Sequence, residues 1–216
     1  MEQFAAVIAA SYLIGAIPMA LMVGWIVGGI DIRTAGSGNA GATNVYRLFG
    51  LKPYLVTLSF DIFKGWLATA VIAGYGSGLM TPGRTAIYCG VAAVVGHVWT
   101  IFAGFRGGKG VATAGGALLG IAPTVACSAI GIYLLVTLAT QYVAIGSMTA
   151  AASSPFLVYL LTPQAPLELY LLCGGLACLI IFTHRINIRR LMNGEEGKTD
   201  FLAKLRAAKT PTVKTD

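Results

Sequence analysis

Residues 4–30 read FAAVIAASYLIGAIPMALMVGWIVGGI, an apolar run without a single charge. About 20 such residues carry an α-helix across the hydrocarbon of a bilayer, so this run is long enough to span one. Its apolar residues are continuous rather than alternating, which argues against the strands of a membrane barrel. Further runs at 53–75 and 84–104 precede a charge-free region from 111 to 167, and a last run ends at Thr183. Composition agrees. Mean hydropathy is +0.78, and 11% of residues are charged, where a soluble domain has about a quarter. The fold class is therefore all-α and polytopic, and 216 residues limit the protein to one compact helical bundle. Residues 1–196 form the membrane domain on this reading, with 197–216 a basic cytoplasmic tail.

The four cysteines (Cys89, Cys127, Cys173, Cys178) all fall in apolar stretches, without metal-ligand spacing or a disulfide framework. They read as small hydrophobes facing lipid or helices. Met1-Glu2-Gln3 lacks the positive start of a signal peptide, so the first run is expected to stay as an anchor. A net charge of +7 would suit nucleic acid. Its distribution says otherwise, because the charges flank the apolar runs. Arg and Lys cluster after the first run (Arg33, Arg47, Lys52), after the third (Arg106, Lys109) and beyond the last (Arg185, Arg189, Arg190), while 74–83 carries none. The positive-inside rule then puts the N-terminus in the periplasm and the three basic segments in the cytoplasm.

Parity constrains the middle of the chain. With Lys109 and Arg185 both cytoplasmic and the last helix running inward, 111–164 must cross an odd number of times. It is too long for one crossing, and Pro123 and the Thr140-Gln141 break divide it into 111–122, 124–140 and 142–162. Three helices, the first short, give about seven membrane-embedded helices in total. A re-entrant half-helix at 111–122 beside an ordinary odd crossing is the alternative.

Three polar segments share the cytoplasmic face. The first, 36–47, reads Gly-Ser-Gly-Asn-Ala-Gly-Ala-Thr-Asn-Val-Tyr-Arg. Its glycines free the backbone to turn N–H groups toward a ligand, and its hydroxyls, amides and guanidinium add donors suited to phosphate. Gly36, Gly38 and Gly41 match a dinucleotide fingerprint, but that motif requires a strand and a βαβ unit, and membrane helices flank this one. The second, 96–113, ends in Phe-Arg-Gly-Gly-Lys-Gly-Val-Ala-Thr. It lacks Walker A spacing, yet Gly107, Gly108 and Gly110 can expose N–H groups, Lys109 supplies charge, and a helix from about Val111 aims its positive end there. His97, Trp99, Phe102 and Phe105 lead into this loop. The third segment starts at His184, with Asn187 one helical turn on. Arg185, Arg189 and Arg190 read mainly as anchors for anionic headgroups. Within the second run, Asp61 and Lys64 stand i,i+3, placed to pair with each other or line a polar cavity. His97 reads as a satisfied buried histidine.

In order and spacing these segments resemble the bacterial acyl-phosphate:glycerol-3-phosphate acyltransferases of the PlsY type. That family carries Gly-Ser-Gly-Asn-Pro-Gly-Ala-Thr-Asn-x-x-Arg, Gly-His-x-x-Pro-x-Phe-x-x-Phe-x-Gly-Gly-Lys-Gly-Val-Ala-Thr and His-Arg-x-Asn-Ile-x-Arg-Leu with a following Gly-x-Glu. Here they fall on 36–47, 96–113 and 184–196, and Asp61-x-x-Lys64-Gly65 is similar to the family's second helix. Ala40 and Thr100 depart from it, standing where proline is common. The resemblance implies acyl transfer from a fatty acyl phosphate to the 1-position of glycerol 3-phosphate, giving lysophosphatidic acid and inorganic phosphate at the bacterial inner membrane. The partners it implies are acyl phosphate, glycerol 3-phosphate and membrane lipid, with no nucleic acid.

On that resemblance Ser37, Arg47 and Lys109 hold phosphate, while Asn39, Thr43, Asn44 and Asn187 orient the hydroxyl or the reacting carbonyl. Gly107, Gly108 and Gly110 cradle the acyl phosphate, whose chain lies along Trp99, Phe102 and Phe105. His184, Asn187, Ser37 and Lys109 make the catalytic set. No cofactor or metal is called for, since Arg, Lys and backbone bind phosphate unaided. Ser37 lacks the Asp-His partners of an activated nucleophile, and His184 is either a general base or a positioning group. A transporter for organic phosphate would need internal repeats and groups near the midplane, and a lipid-binding scaffold would leave Ser37, Asn39 and Asn44 idle.

Overall fold

The computed structural model describes residues 2–76 and 81–199. Ten α-helices and no strand occur among them: α1 (Glu2–Ala16), α2 (Met19–Gly28), α3 (Ala42–Phe49), α4 (Leu51–Ala70), α5 (Pro82–Val98), α6 (Val111–Ile121), α7 (Pro123–Thr140), α8 (Val143–Leu161), α9 (Leu167–Thr183) and α10 (Arg185–Met192). Five segments are long and apolar enough to cross a membrane, or six if α9 and α10, bent by 56° at His184, form one span. The division expected of 111–164 is met by α6, α7 and α8. At 11 residues, α6 is about 16 Å long, half a bilayer's hydrocarbon. Most of the tail expected from 197 onward, residues 200–216, lies outside the described residues.

The first apolar run is not one straight helix. Pro18 has no N–H to donate, so α1 stops at Ala16 and α2 restarts beyond it, with Leu21 and Met22 donating to the Pro18 carbonyl at 3.0 and 3.1 Å. The break leaves carbonyls facing into the bundle. Thr100 Oγ1 donates to that of Ala16, and that of Ile17 accepts from Met19 N–H and from Lys64 Nζ, each at 3.1 Å. Thr100 thus satisfies an orphaned acceptor.

Small residues let helices touch backbone to backbone, as membrane bundles require when apolar burial cannot drive association. A Cβ on Gly15 would land on the Ala93 carbonyl, and one on Gly96 would land on the Tyr12 carbonyl, so α1 and α5 are in van der Waals contact. Between α4 and α6, Gly65 abuts Thr113 and Gly116 abuts Ile62 in the same way. A second layer, from Val94 and Leu118 to Leu172 and Ile180, packs α5, α6, α7, α8 and α9 together. This core fixes one end of the bundle, where the polar segments emerge.

Candidate active site

Each polar segment is folded by its own sequence before it meets the others. Gly36 and Gly38 take left-handed φ values of 60° and 74°, which turn the chain back on itself. Asn44, 1% exposed, clamps that turn. Its Oδ1 accepts the Ser37 N–H at 2.8 Å, and its Nδ2 donates to the carbonyls of Ile32 and Ala35 at 2.8 and 3.1 Å. Asn44 therefore builds the loop that presents Ser37. One turn of α3 apart, Thr43 and Arg47 line the same cavity as Ser37 and Asn39.

The second segment folds back beside the last turn of α5. Gly107 N–H donates to the Val98 carbonyl at 3.0 Å and Gly108 N–H to that of His97 at 3.1 Å. These two N–H groups are consumed inside the protein, so they do not form the expected phosphate cradle. A Cβ on Gly107 would strike the His97 carbonyl, and glycine is needed there for close approach. The fold-back lets α6 begin inside the bundle, which is why a short helix suffices. Gly110, at φ 86°, then opens α6, whose first residues Val111 and Ala112 line the cavity.

The third segment closes the site. At the bend between α9 and α10, His184 is 3% exposed, with Nδ1 2.8 Å from the Ile180 carbonyl. A carbonyl only accepts, so Nδ1 carries the proton and Nε2 keeps its lone pair. Asn187 joins the segments: its Oδ1 accepts from Lys109 Nζ, and its Nδ2 donates to Glu196 Oε1 at 2.9 Å. That same oxygen lies 3.6 Å from Arg47, whose Nη2 donates to the Gly197 carbonyl at 3.0 Å. Thr199 N–H donates to the Gln141 carbonyl at 2.8 Å, tying the chain across the mouth. Burial pushes the Lys109 ammonium down to about 8, against the Glu196 carboxylate and with help from Arg47 and Arg190.

One cavity of about 450 Å³ takes in all three segments, within the usual size of a ligand pocket. Its mouth carries Ser37, Arg47, Lys109, His184, Asn187 and Arg190, and it continues into a cleft walled by apolar side chains of α4, α6, α7, α8 and α9. A family model described as glycerol-3-phosphate acyltransferase matches residues 5–194. The chain belongs to the glycerol-3-phosphate acyltransferase family. The protein of that name from Chlorobaculum tepidum is 39% identical over 93% of this chain and 98% of its own length. That of Pelodictyon phaeoclathratiforme is also 39% identical, over 91% and 96%. Crystal structures of PlsY, an integral membrane glycerol 3-phosphate acyltransferase, match in two forms. The glycerol 3-phosphate form superposes with a TM-score of 0.84 at 34% identity, covering 94% of this chain and 98% of that one. The lysophosphatidic acid form gives 0.82 at 33% identity, with the same coverage. The protein is thus a multi-pass membrane acyltransferase of lipid biosynthesis.

The acyltransferase site differs from its sequence-based outline in three further places. Trp99, Phe102 and Phe105 are 38%, 60% and 58% exposed and none lines the cavity. Phe105 takes a φ of 59°, and the fold-back leaves these rings on the outside. The apolar wall consists instead of residues such as Leu58, Ile62, Leu118 and Ile130. Arg190 lines the cavity while Arg185 and Arg189 stay exposed, so the three arginines do not act alike. Glu196 and Ser147, buried at 8% and 3%, line it too. The Gly-x-Glu pattern marked Glu196; nothing local marked Ser147 in its apolar helix.

Proposed function

We propose that the protein transfers a fatty acyl group from acyl phosphate to the 1-position of glycerol 3-phosphate, giving lysophosphatidic acid and inorganic phosphate. The observation that carries this reading is the single cavity whose cationic mouth (Arg47, Lys109, Arg190) runs directly into an apolar cleft. Both substrates bear phosphate and one bears an alkyl chain, so polar and apolar halves must adjoin at the reacting carbonyl. The chain lies in the cleft, and the phosphates sit on the cations, Ser37 and the start of α6. Asn39 and Thr43 orient polar groups of the substrates beside them.

In the reaction, the glycerol hydroxyl oxygen attacks the acyl carbonyl carbon and the bond to the phosphate oxygen breaks. The departing phosphate takes the hydroxyl proton, and no covalent enzyme intermediate forms. His184 and Asn187 position the hydroxyl, and Asn187 also holds Lys109 beside it. Such positioning removes about 7–11 kcal/mol of barrier when the geometry is right, and each donor at the developing oxyanion adds about 3–4 kcal/mol.

The same reading makes α6 an embedded helix, seven in all, in one domain over 1–196, with the N-terminus periplasmic and the site facing the cytoplasm of the inner membrane. Supporting it, Lys109 and Gly110 before α6 and Val143 and Ala144 at the start of α8 line the same cavity, so α6 and α7 carry the chain away and back. A reporter fused to the N-terminus is expected outside and one at the C-terminus inside; the reverse would overturn the orientation.

Purified protein given acyl phosphate and glycerol 3-phosphate is expected to make lysophosphatidic acid. Turnover with an acyl thioester but none with acyl phosphate would sink the donor assignment. In the same assay His184→Gln, which keeps an acceptor but is a poor base, retains measurable turnover while His184→Ala loses it. Equal loss in both, with glycerol 3-phosphate binding intact, would make His184 the general base.

A further inference from the structure

The chemistry above leaves unused a cluster of Asp61, Lys64 and His97, which are 2%, 1% and 8% exposed. Lys64 Nζ lies 2.7 Å from Asp61 Oδ1, and His97 Nδ1 lies 3.5 Å from the same oxygen. The contact to Lys64 is an ion pair. Charges buried in a membrane bundle are unfavourable unless their geometry compensates, and apolar side chains would fill the same volume. A role in fixing one arrangement of the chain accounts for them.

The surroundings indicate which arrangement. His97 stands in the last turn of α5, and its carbonyl accepts the Gly108 N–H. A Cβ on Gly108 would meet His97 Nε2 on one side and the Ala40 carbonyl on the other. The imidazole is therefore clamped between the Asp61 carboxylate and the backbone of the residue preceding Lys109. Lys64 ties the same carboxylate to the Ile17 carbonyl at the break in the first span. Asp61 and His97 line both the main cavity and a void of about 10 Å³ behind it, roughly the room one water needs. They form the wall against which the Lys109 loop rests.

We propose that Asp61, Lys64 and His97 are positioning residues: the ion pair fixes the imidazole, and the imidazole fixes the Gly107-Gly108 segment that carries Lys109 into the site. The inference rests on Lys109 serving the acyl transfer proposed above only in its consequence for turnover; the placement of the lysine is separately measurable. Lys109 is faced by Asn187, Glu196, Arg47, Arg190 and His184.

Two variants of the full-length protein in detergent test it. His97→Phe keeps a ring but loses the contact to Asp61. Asp61→Asn combined with Lys64→Met removes both charges together, which avoids leaving one buried and unpaired. The pH dependence of Lys109 modification by an amine-selective acetylating reagent, followed by mass spectrometry, reports where the ammonium sits. In the wild type its midpoint lies at about 8. In either variant the lysine is expected to leave its part-buried place, and the midpoint to rise by at least about one pH unit. KM for glycerol 3-phosphate rises about tenfold, the equivalent of one lost charged contact. A folded variant with an unchanged midpoint and KM overturns the proposal, even if its melting temperature has dropped. A wild type without turnover overturns the acyl-transfer reading instead, and the labelling midpoint then decides the positioning role alone.

Discussion

Lys109→Met is expected to abolish most acyl transfer, with kcat/KM for glycerol 3-phosphate falling by about 10²–10³-fold, the loss of one preorganised charged donor. Lys109 is part-buried in the mouth and is held there by a side chain of another segment, its Nζ donating to Asn187. Methionine keeps the stem and its packing, so the variant isolates the charge. Lys109→Arg restores little, because a planar guanidinium does not fit a place made for a compact ammonium. The ammonium titrates at about 8 because burial disfavours its charge. Wild-type kcat/KM is therefore expected to be full below that value and to decline as pH rises through it. Steady-state kinetics across that range check both statements. Near-normal activity in Lys109→Met would remove the lysine from the site.

The outline of this site was legible because polarity is conspicuous in so apolar a chain. Glycines, amides and cations at 36–47, 107–110 and 184–187 have no role in lipid, and the charge distribution put all three on one face. What a single segment does to its own backbone was less legible. Gly107 and Gly108 read as N–H donors for phosphate, yet those N–H groups pair with the end of α5, a fold-back within the segment that motif spacing does not encode. Asn44 read as a substrate group, and its amide instead closes the turn around Ser37. Arg189 and Arg190 are neighbours in sequence, and only the bend at His184 and the path of α10 decide that one faces the cavity and the other is exposed. The fold was legible in the same measure. Apolar length gave the spans, whereas the break at Pro18 was masked by apolar residues on both sides.

The crossing of α4 and α6 leads to the second large effect. The residues Thr113, Gly116, Ala117 and Gly120 share one face of α6, at helical spacing, and that face lies on Ile62, Gly65 and Thr69 of α4. Across the contact, Thr69 Oγ1 lies 3.2 Å from the Ala117 carbonyl, sharing its one proton with the Gly65 and Trp66 carbonyls of its own helix. A methyl at Gly116 would fall on the Ile62 carbonyl and its flanking backbone atoms, none of which is a side-chain end free to swing aside. Gly116→Ala must then separate the two helices, and overpacking of this kind costs about 1–3 kcal/mol. Gly115 is the internal control. The space around its Cα is open, so Gly115→Ala gains helix propensity, at most about 1 kcal/mol. The two substitutions add the same atom to adjacent residues of one helix, and any general effect of alanine cancels between them. Thermal unfolding in detergent is expected to show Gly116→Ala several degrees below the wild type, at roughly 2–4 °C per kcal/mol for a chain of this size, with Gly115→Ala at or slightly above it. Since α6 begins two residues after Lys109, the displaced helix also moves the lysine, and Gly116→Ala is expected to lose turnover even at temperatures where it stays folded. Equal melting of the two variants would mean that α4 and α6 do not meet backbone to backbone, and the short helix would need another partner to hold the site at its depth.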